Sequence, residues 1–213
     1  MTMNQPDICI FGASGHAKVV IDIVEREGRY RVATLFDDNV ALHGQTFFGY
    51  AVSGGRDALL EQYRQGKIEA AIVAIGDNRI RAMIAAWLIA HGVPRVSCIH
   101  PGAQIGRGVR IGVGSVLMAG TVVNADTQIG NEVIINTGAT VDHDNLIADA
   151  VHISPGCHLC GHVSVGQASF IGAGSVVIPN VGIGSNVVVG AGSTVLNDID
   201  DGMRVAGSPC RAI

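Results

Sequence analysis

The sequence predicts a small parallel α/β domain followed by a three-sided parallel β-helix. Three observations carry this. Up to about residue 98, short apolar strands alternate with helical segments. From Ile99 onward an aliphatic residue returns at every sixth position. Cations also change in distribution: the only two lysines are Lys18 and Lys67, and no Lys or Arg occurs between Arg110 and Arg204.

The first domain begins with Asp7-Ile8-Cys9-Ile10-Phe11, an apolar run bounded by a turn, which reads as a buried strand. Gly12-Ala13-Ser14-Gly15-His16 supplies the turn, and Ala17 to Glu27 carries a helical apolar face at Val20, Ile23 and Val24. A second strand, Ala33 to Phe36, ends at Asp37-Asp38; a third, Ala70 to Ile75, ends at Gly76-Asp77-Asn78. Arg79 to His91 reads as a helix stopped by Gly92 and Pro94, with Val96 to Ile99 as the last strand before the repeat. This alternation implies a small Rossmann-like parallel sheet. Ligands on such sheets bind at the carboxyl ends of the strands, which here carry three polar turns. The glycine turn is not G-x-G-x-x-G, but its N–H groups at a helix start suit a phosphate. Asp37-Asp38 suits a solvated turn or a carboxylate accepting hydrogen bonds from a base or ribose.

The second half repeats in sixes. Ile99, Ile105, Ile111, Leu117, Val123, Ile129, Ile135, Val141, Ile147, Ile153, Leu159, Val165, Ile171, Val177, Ile183, Val189 and Val195 are all aliphatic, without an insertion. The fourth residue after each is small or β-branched, with Asn145 the exception. A period of six suits neither a 3.6-residue helix nor a two-residue alternation. It suits short strands joined by tight corners, three hexads to a coil of about 18 residues, with the aliphatics stacked inside. Five to six coils at roughly 4.8 Å each make a prism about 25 Å tall. Glycine or asparagine often follows the aliphatic (Gly106, Gly112, Asn124, Gly130, Asn136, Gly166, Gly172, Gly184, Gly190), and both residue types tolerate positive φ. These residues are therefore expected at left-handed corners.

Composition narrows the function. The 213 residues carry 14 basic and 18 acidic side chains, a net charge of −4, which argues against nucleic-acid binding. Apolar residues at 48 % provide a core, and no apolar run is long enough to span a membrane. Met1 to Asp7 lacks the basic start and apolar stretch of a secretory leader. The five cysteines, an odd number, point to reduced thiols and a cytoplasmic protein. Any anion bound by the cation-free stretch has to use backbone N–H groups, histidines or the chain ends.

The polar residues that could do chemistry centre on Val141-Asp142-His143-Asp144. His143 lies two places after an inward aliphatic and is expected to point outward. A carboxylate on one ring nitrogen fixes the tautomer and raises the basicity of the other, a general-base arrangement. A plain polar corner is the alternative. Residues 18 apart stack, so Gly161 should lie above His143 and Ala125 below it. His152 is half a coil away, on another part of the perimeter. His158 and His162 read as surface or interface residues. Cys157-His158-Leu159-Cys160 has C-x-x-C spacing but no second pair, and Cys157 reads as core.

The unbroken hexads resemble those of the hexapeptide-repeat acyltransferases, which form a left-handed parallel β-helix. Gly12-Ala13-Ser14-Gly15-His16, Asp37-Asp38, Ala74 to Arg81, Ile135-Asn136-Thr137, Asp142-His143-Asp144 and His152 together resemble one subgroup. These are the bacterial N-acetyltransferases of nucleotide-linked 4-amino-sugars, such as the UDP-linked bacillosamine precursor or GDP-perosamine. The resemblance implies acetyl-CoA as co-substrate, no metal, and a homotrimer with active sites between subunits. It implies that His143 takes a proton from the sugar amine as the amine attacks the thioester, with Asp144, rather than Asp142, supporting it. It further implies that His152 contacts acetyl-CoA from a neighbouring subunit and that the Gly161 N–H stabilises the oxyanion. Ala173 and Ala191 would hold CoA through main chain, and Arg211 would meet a CoA phosphate. Ser14, Gly15, His16, Asp37, Asp38 and Gly76 would hold the nucleotide-sugar. The chain thus divides into a nucleotide-sugar-binding domain (1–98), an acetyltransferase domain (99–200) and a tail contributing to the CoA site (201–213).

Three other readings fit some of these residues. A sialic-acid O-acetyltransferase shares the fold. A γ-type zinc carbonic anhydrase would use three of His143, His152, His158 and His162, but has no need of the α/β domain. A non-catalytic sugar-nucleotide binder needs no base. Neither the nucleotide nor the sugar is legible.

Overall fold

The computed structural model describes residues 5–213; Met1 to Asn4, the start of the segment read as lacking a leader, lie outside the described residues. The chain forms two compact units, one ending at Pro101 and the other running from Gly102 to Ile213. Residues 201–213 belong to the second unit.

In the first unit, β1 (Asp7–Phe11) lies between β2 (Arg31–Phe36) and β5 (Ala70–Val73) in a three-stranded parallel sheet. Ile8, Cys9 and Ile10 are fully buried because helices cover the sheet, so both faces of β1 are apolar. Helix α1 (Gly15–Glu27) buries Ala17, Val20, Ile21, Ile23 and Val24 and closes on Gly28 in the left-handed region. Helix α3 (Asn78–Ala90) is capped by Asp77, whose Oδ1 accepts from the Ile80 N–H at 2.9 Å. Several elements had no reading from sequence. Helix α2 (Arg56–Arg64) is short and mostly polar, burying only Leu59 and Leu60. The hairpin of β3 (Thr46–Phe47) and β4 (Tyr50–Ala51) has strands too short for an alternation to show. The final strand, β6, is Cys98–Ile99; Val96 instead donates its N–H to the Ala71 carbonyl beside β5.

The second unit is a parallel β-solenoid of two-residue strands. Through most of the solenoid each strand pairs in register with the strand 18 residues on, as Val122 and Val123 do with Thr140 and Val141; on the last coil the spacing is 16, as for Val188 with Arg204. Three walls result. The first includes Val122–Val123, Thr140–Val141 and His158–Leu159; the second Gln128–Ile129, Leu146–Ile147 and Ser164–Val165; the third Ile134–Ile135, His152–Ile153 and Phe170–Ile171. The inward aliphatics from Leu117 to Val195 are at most 4 % exposed, each contributing about 1.5–3 kcal/mol by leaving water. Ile105, at 39 % exposed, is an open rung. The tail closes the third wall, with Arg204–Ala206 pairing onto Val188–Val189 and Arg211–Ala212 folding back antiparallel.

The expected corner residues require correction. From Ile105 to Val189 the left-handed residue is the third after the aliphatic, not the first: Gly108, Gly114, Asp126, Asp144, Gly156, His162 and Asn180 all have positive φ. The glycines directly after the aliphatics have ordinary φ and answer a different need. A Cβ on Gly166 would come within 2.5 Å of Gly184 backbone, and one on Gly172 within 2.5 Å of the Ala191 nitrogen. The coil above passes too close for a side chain.

Candidate active site

The corner between the first and second walls holds the expected base. Val141 turns inward, fully buried, and His143 follows two residues later with its side chain half-exposed. Asp144 takes the left-handed conformation, φ 57°, which costs a non-glycine residue roughly 1–2 kcal/mol. In that conformation its carboxylate reaches back to the preceding ring: Asp144 Oδ2 lies 2.7 Å from His143 Nδ1. Nε2 is thereby left as the nitrogen that can accept a proton. This hydrogen bond, with smaller help from the charges of Asp142 and Asp144, raises the His143 pKa above its ordinary value.

Asp142 has another task. Its Oδ1 accepts from Asn124 Nδ2 and from the His143 N–H, each at 2.8 Å, and these bonds lower its pKa. Asp142 therefore braces the backbone of His143, while Asp144 holds its ring.

Gly161 lies directly over the ring. A Cβ there would meet His143 Cε1 at 2.6 Å and Nε2 at 2.7 Å. His162, read from sequence only as surface or interface, stacks one coil above Asp144. Its Nε2 is 3.6 Å from Asp144 Oδ2, and its ring meets that of His143 edge-on at 5.4 Å. The 18-residue spacing from Asp144 was the available signal.

His143, Asp144 and His162 bring three ligand atoms within 4.8 Å of one another, a set that could hold a divalent cation. His152 and His158 stand on the third and first walls, so the three-histidine zinc set is not gathered within one chain. Cys157 is fully buried core, and burial pushes its thiol pKa up.

His152 is nearly buried on the third wall, edge-on to Phe170. Asn136 Oδ1 accepts from the Thr137 N–H, which orients the amide so that Nδ2 donates to His152 Nε2 at 3.1 Å. Beyond Asn136 the corner between the third and first walls carries Ala173 and Ala191, both exposed and stacked one coil apart; Arg211 is exposed near the end of the third wall. A trough of about 480 Å³ along the second wall, beside Leu146 and Ile147, does not include His143.

In the α/β unit, the three predicted turns do share the carboxyl edge of the sheet. Ser14 and Gly15 are exposed at the start of α1, and the Ser14 side chain caps nothing. His16 and Gly76 are half-buried. Gly12 has φ 115°, and a Cβ there would meet the Ala74 carbonyl at 2.8 Å. Asp37 is half-spent on structure, Oδ2 accepting from the Ala13 N–H and Oδ1 from the Asn39 N–H. Asp38 pairs with Arg56 at 2.9 Å. Arg81 had no role from sequence. It is fully buried and donates to the Ile75 and Gly76 carbonyls and to Asn78 Oδ1, fixing the Gly76 turn from beneath.

Residues 7–88 match the PglD N-terminal domain. UDP-N-acetylbacillosamine N-acetyltransferase of Bacillus subtilis is 37 % identical over 115 residues, 53 % of this chain and 51 % of that protein, so the chain spans about half the length of this relative. A variant of perosamine N-acetyltransferase from Caulobacter crescentus, solved with CoA and GDP-perosamine, superposes with a TM-score of 0.93 at 39 % identity, covering 100 % of this chain and 98 % of that one. The acetyltransferase domain of PglB from Neisseria gonorrhoeae, solved with acetyl coenzyme A, gives 0.90 at 38 % identity over 99 % and 100 %. With its PglD-type domain, its unbroken solenoid and near-full coverage of the Caulobacter and Neisseria structures at 38–39 % identity, the chain belongs to the sugar N-acetyltransferase family built on hexapeptide repeats.

Proposed function

We propose that the protein transfers the acetyl group of acetyl-CoA to the 4-amino group of a nucleotide-linked amino-deoxysugar, for bacterial glycan synthesis in the cytoplasm. The observation that carries this reading is the Asp144–His143 pair, 2.7 Å apart, set against Gly161 on an outward corner. Relatives solved with CoA and GDP-perosamine, or with acetyl coenzyme A, support it.

The amine nitrogen attacks the thioester carbon, and negative charge develops on the carbonyl oxygen. The Gly161 N–H is the donor proposed for that oxygen; such donors are often worth about 2.7–4 kcal/mol. His143 Nε2 accepts the amine proton. Collapse breaks the C–S bond, the CoA sulfur takes a proton, and the products are the acetamido sugar and free CoA. An acetyl-CoA held beside a corner without cations relies on main chain. Ala173 and Ala191 supply that, with His152 and Arg211 as the side-chain contacts. Ser14, Gly15, His16 and Gly76 with Asp37 and Asp38 are the proposed nucleotide-sugar residues.

The base lies on an exposed corner, and a second copy supplies the facing wall. We therefore expect a homotrimer, with a light-scattering mass near three times 22.0 kDa; a monomeric mass would remove the intersubunit site. The direct test follows thiol release with acetyl-CoA and a panel of UDP-, GDP- and dTDP-linked 4-amino-sugars. Turnover with one such amine identifies the acceptor. Turnover only with hydroxyl acceptors would favour O-acetylation, and none with any acceptor would leave a binding protein.

The pH dependence has a definite sign. His143 is useful as a base only when neutral, and Asp144 raises its pKa. The acidic limb of kcat/KM should therefore lie above the ordinary imidazole value of about 6.5. Asp144→Asn should move that limb to lower pH and reduce the plateau about tenfold or more. An unmoved limb would show that Asp144 does not set the titration.

A further inference from the structure

Asn145 interrupts the small-residue position of the repeat, and the reaction outlined above gives it nothing to do. We infer that Asn145 is a positioning residue that aims both the His143 corner and the Gly161 N–H from inside the prism; this rests on the function proposed above.

Asn145 is fully buried, so each polar atom must find a partner. Its Nδ2 donates to the Asp142 carbonyl at 2.6 Å and to the Cys160 carbonyl at 3.0 Å, and its Oδ1 accepts from the Val163 N–H at 2.7 Å. The two carbonyls belong to the peptide units 142–143 and 160–161. In a trans peptide the N–H points opposite to the C=O. Drawing the Cys160 carbonyl inward therefore turns the Gly161 N–H outward, over the His143 ring. Drawing the Asp142 carbonyl inward turns the His143 N–H outward, onto Asp142 Oδ1. A hydrogen bond to a peptide oxygen also polarises the N–H of the same peptide, making it a better donor.

Other coils show what an ordinary rung does. Ser115, Ser169 and Ser175 each donate one hydroxyl proton to the coil above, at Gly130, Gly184 and Gly190, and each accepts one N–H. A hydroxyl has a single proton and serves one carbonyl. The carboxamide has two and serves both peptides that flank the site. Thr127 adds a bond to the Asp142 carbonyl from below, so the base corner is held twice. The 160–161 peptide has only Asn145 beneath its oxygen among the hydrogen bonds of the described residues.

The test compares Asn145→Ser, which reproduces the ordinary rung, with Asn145→Val, a residue this position carries elsewhere in the repeat. Turnover should fall about 3–10-fold in N145S and about 10–100-fold in N145V, with KM for acetyl-CoA within threefold of the parent. In protein labelled with 15N-glycine, the Gly161 amide proton should move upfield in N145V and stay near its parental shift in N145S. Parental turnover in folded N145V, a loss carried by KM instead of kcat, or an unmoved Gly161 resonance would overturn the inference. If N145V does not fold, parental turnover in N145S does so. His143→Ala run alongside separates the two levels. An inactive H143A with fully active Asn145 variants sinks the Asn145 role alone, whereas an active H143A sinks the reading beneath it.

Discussion

Replacing His143 by alanine should lower turnover by about 10²–10⁴-fold. The argument is geometric. Nδ1 is committed to Asp144 Oδ2 at 2.7 Å, so Nε2 is the site of proton uptake, and that nitrogen lies against Gly161. Removing the ring removes the acceptor for the amine proton but leaves the Gly161 N–H, the alanine corner and the nucleotide-sugar residues in place. KM for acetyl-CoA should therefore change by less than about threefold, the pattern of an interaction used in the transition state. The ring is half-exposed and buries little, so stability should shift by no more than about 0.5 kcal/mol. The deficit should widen as pH rises through the acidic limb, because the parent gains its neutral base there and the variant has none to gain. Steady-state thiol release across pH, with a melting curve as control, measures all three. Near-normal turnover at every pH would take His143 out of the chemistry.

The solenoid was legible because its physics is periodic. An aliphatic every sixth residue can be buried on every coil only if three hexads close one turn, and Leu117 to Val195 are buried accordingly. The corners were harder. Glycine after the aliphatic suggested positive φ, whereas the structure needs Gly166 and Gly172 for the absence of a Cβ beneath the next coil. Left-handed geometry falls two residues later and is tolerated by Asp144 and His162, so side chains there can be functional. Adjacency put two carboxylates, Asp142 and Asp144, beside His143 and left both open as partners; only the resemblance favoured Asp144. His162 needed the 18-residue stacking to be applied to Asp144 as well as to His143. Arg81 escaped because a fully buried arginine contradicts the usual expectation for its type, and only the carbonyls of Ile75 and Gly76 explain it. Asn145 stood out as a break in pattern, but its meaning depends on which carbonyls face inward, and a sequence does not display that. Asp37 was visible as polar, yet its bonds to the Ala13 and Asn39 N–H groups are turn-building contacts that spacing does not reveal.

Gly161→Ala should be the most informative single methyl group in the protein. Gly161 does not adopt the left-handed backbone that disfavours side chains, so alanine strains nothing in the chain itself. The added Cβ would instead come within 2.6 Å of His143 Cε1 and 2.7 Å of Nε2, closer than real Cβ atoms approach. One partner has to move, and it is the half-exposed ring at the end of a side chain, not the hydrogen-bonded coil. The ring swings off Gly161 and loses its alignment with Asp144. A displacement of about 1 Å is enough to cost on the order of 10²-fold in turnover. The Gly161 N–H is unchanged by the substitution, so the loss reports on the base and not on the oxyanion donor. A double-mutant cycle makes this quantitative: if the methyl acts only through the ring, adding G161A to H143A should cost less than about threefold further. The acidic limb of the remaining activity should also fall toward the ordinary imidazole value, because the bond to Asp144 that raises it is weakened. Independent, multiplicative losses in the double variant would mean that Gly161 acts on the reaction by a route other than His143.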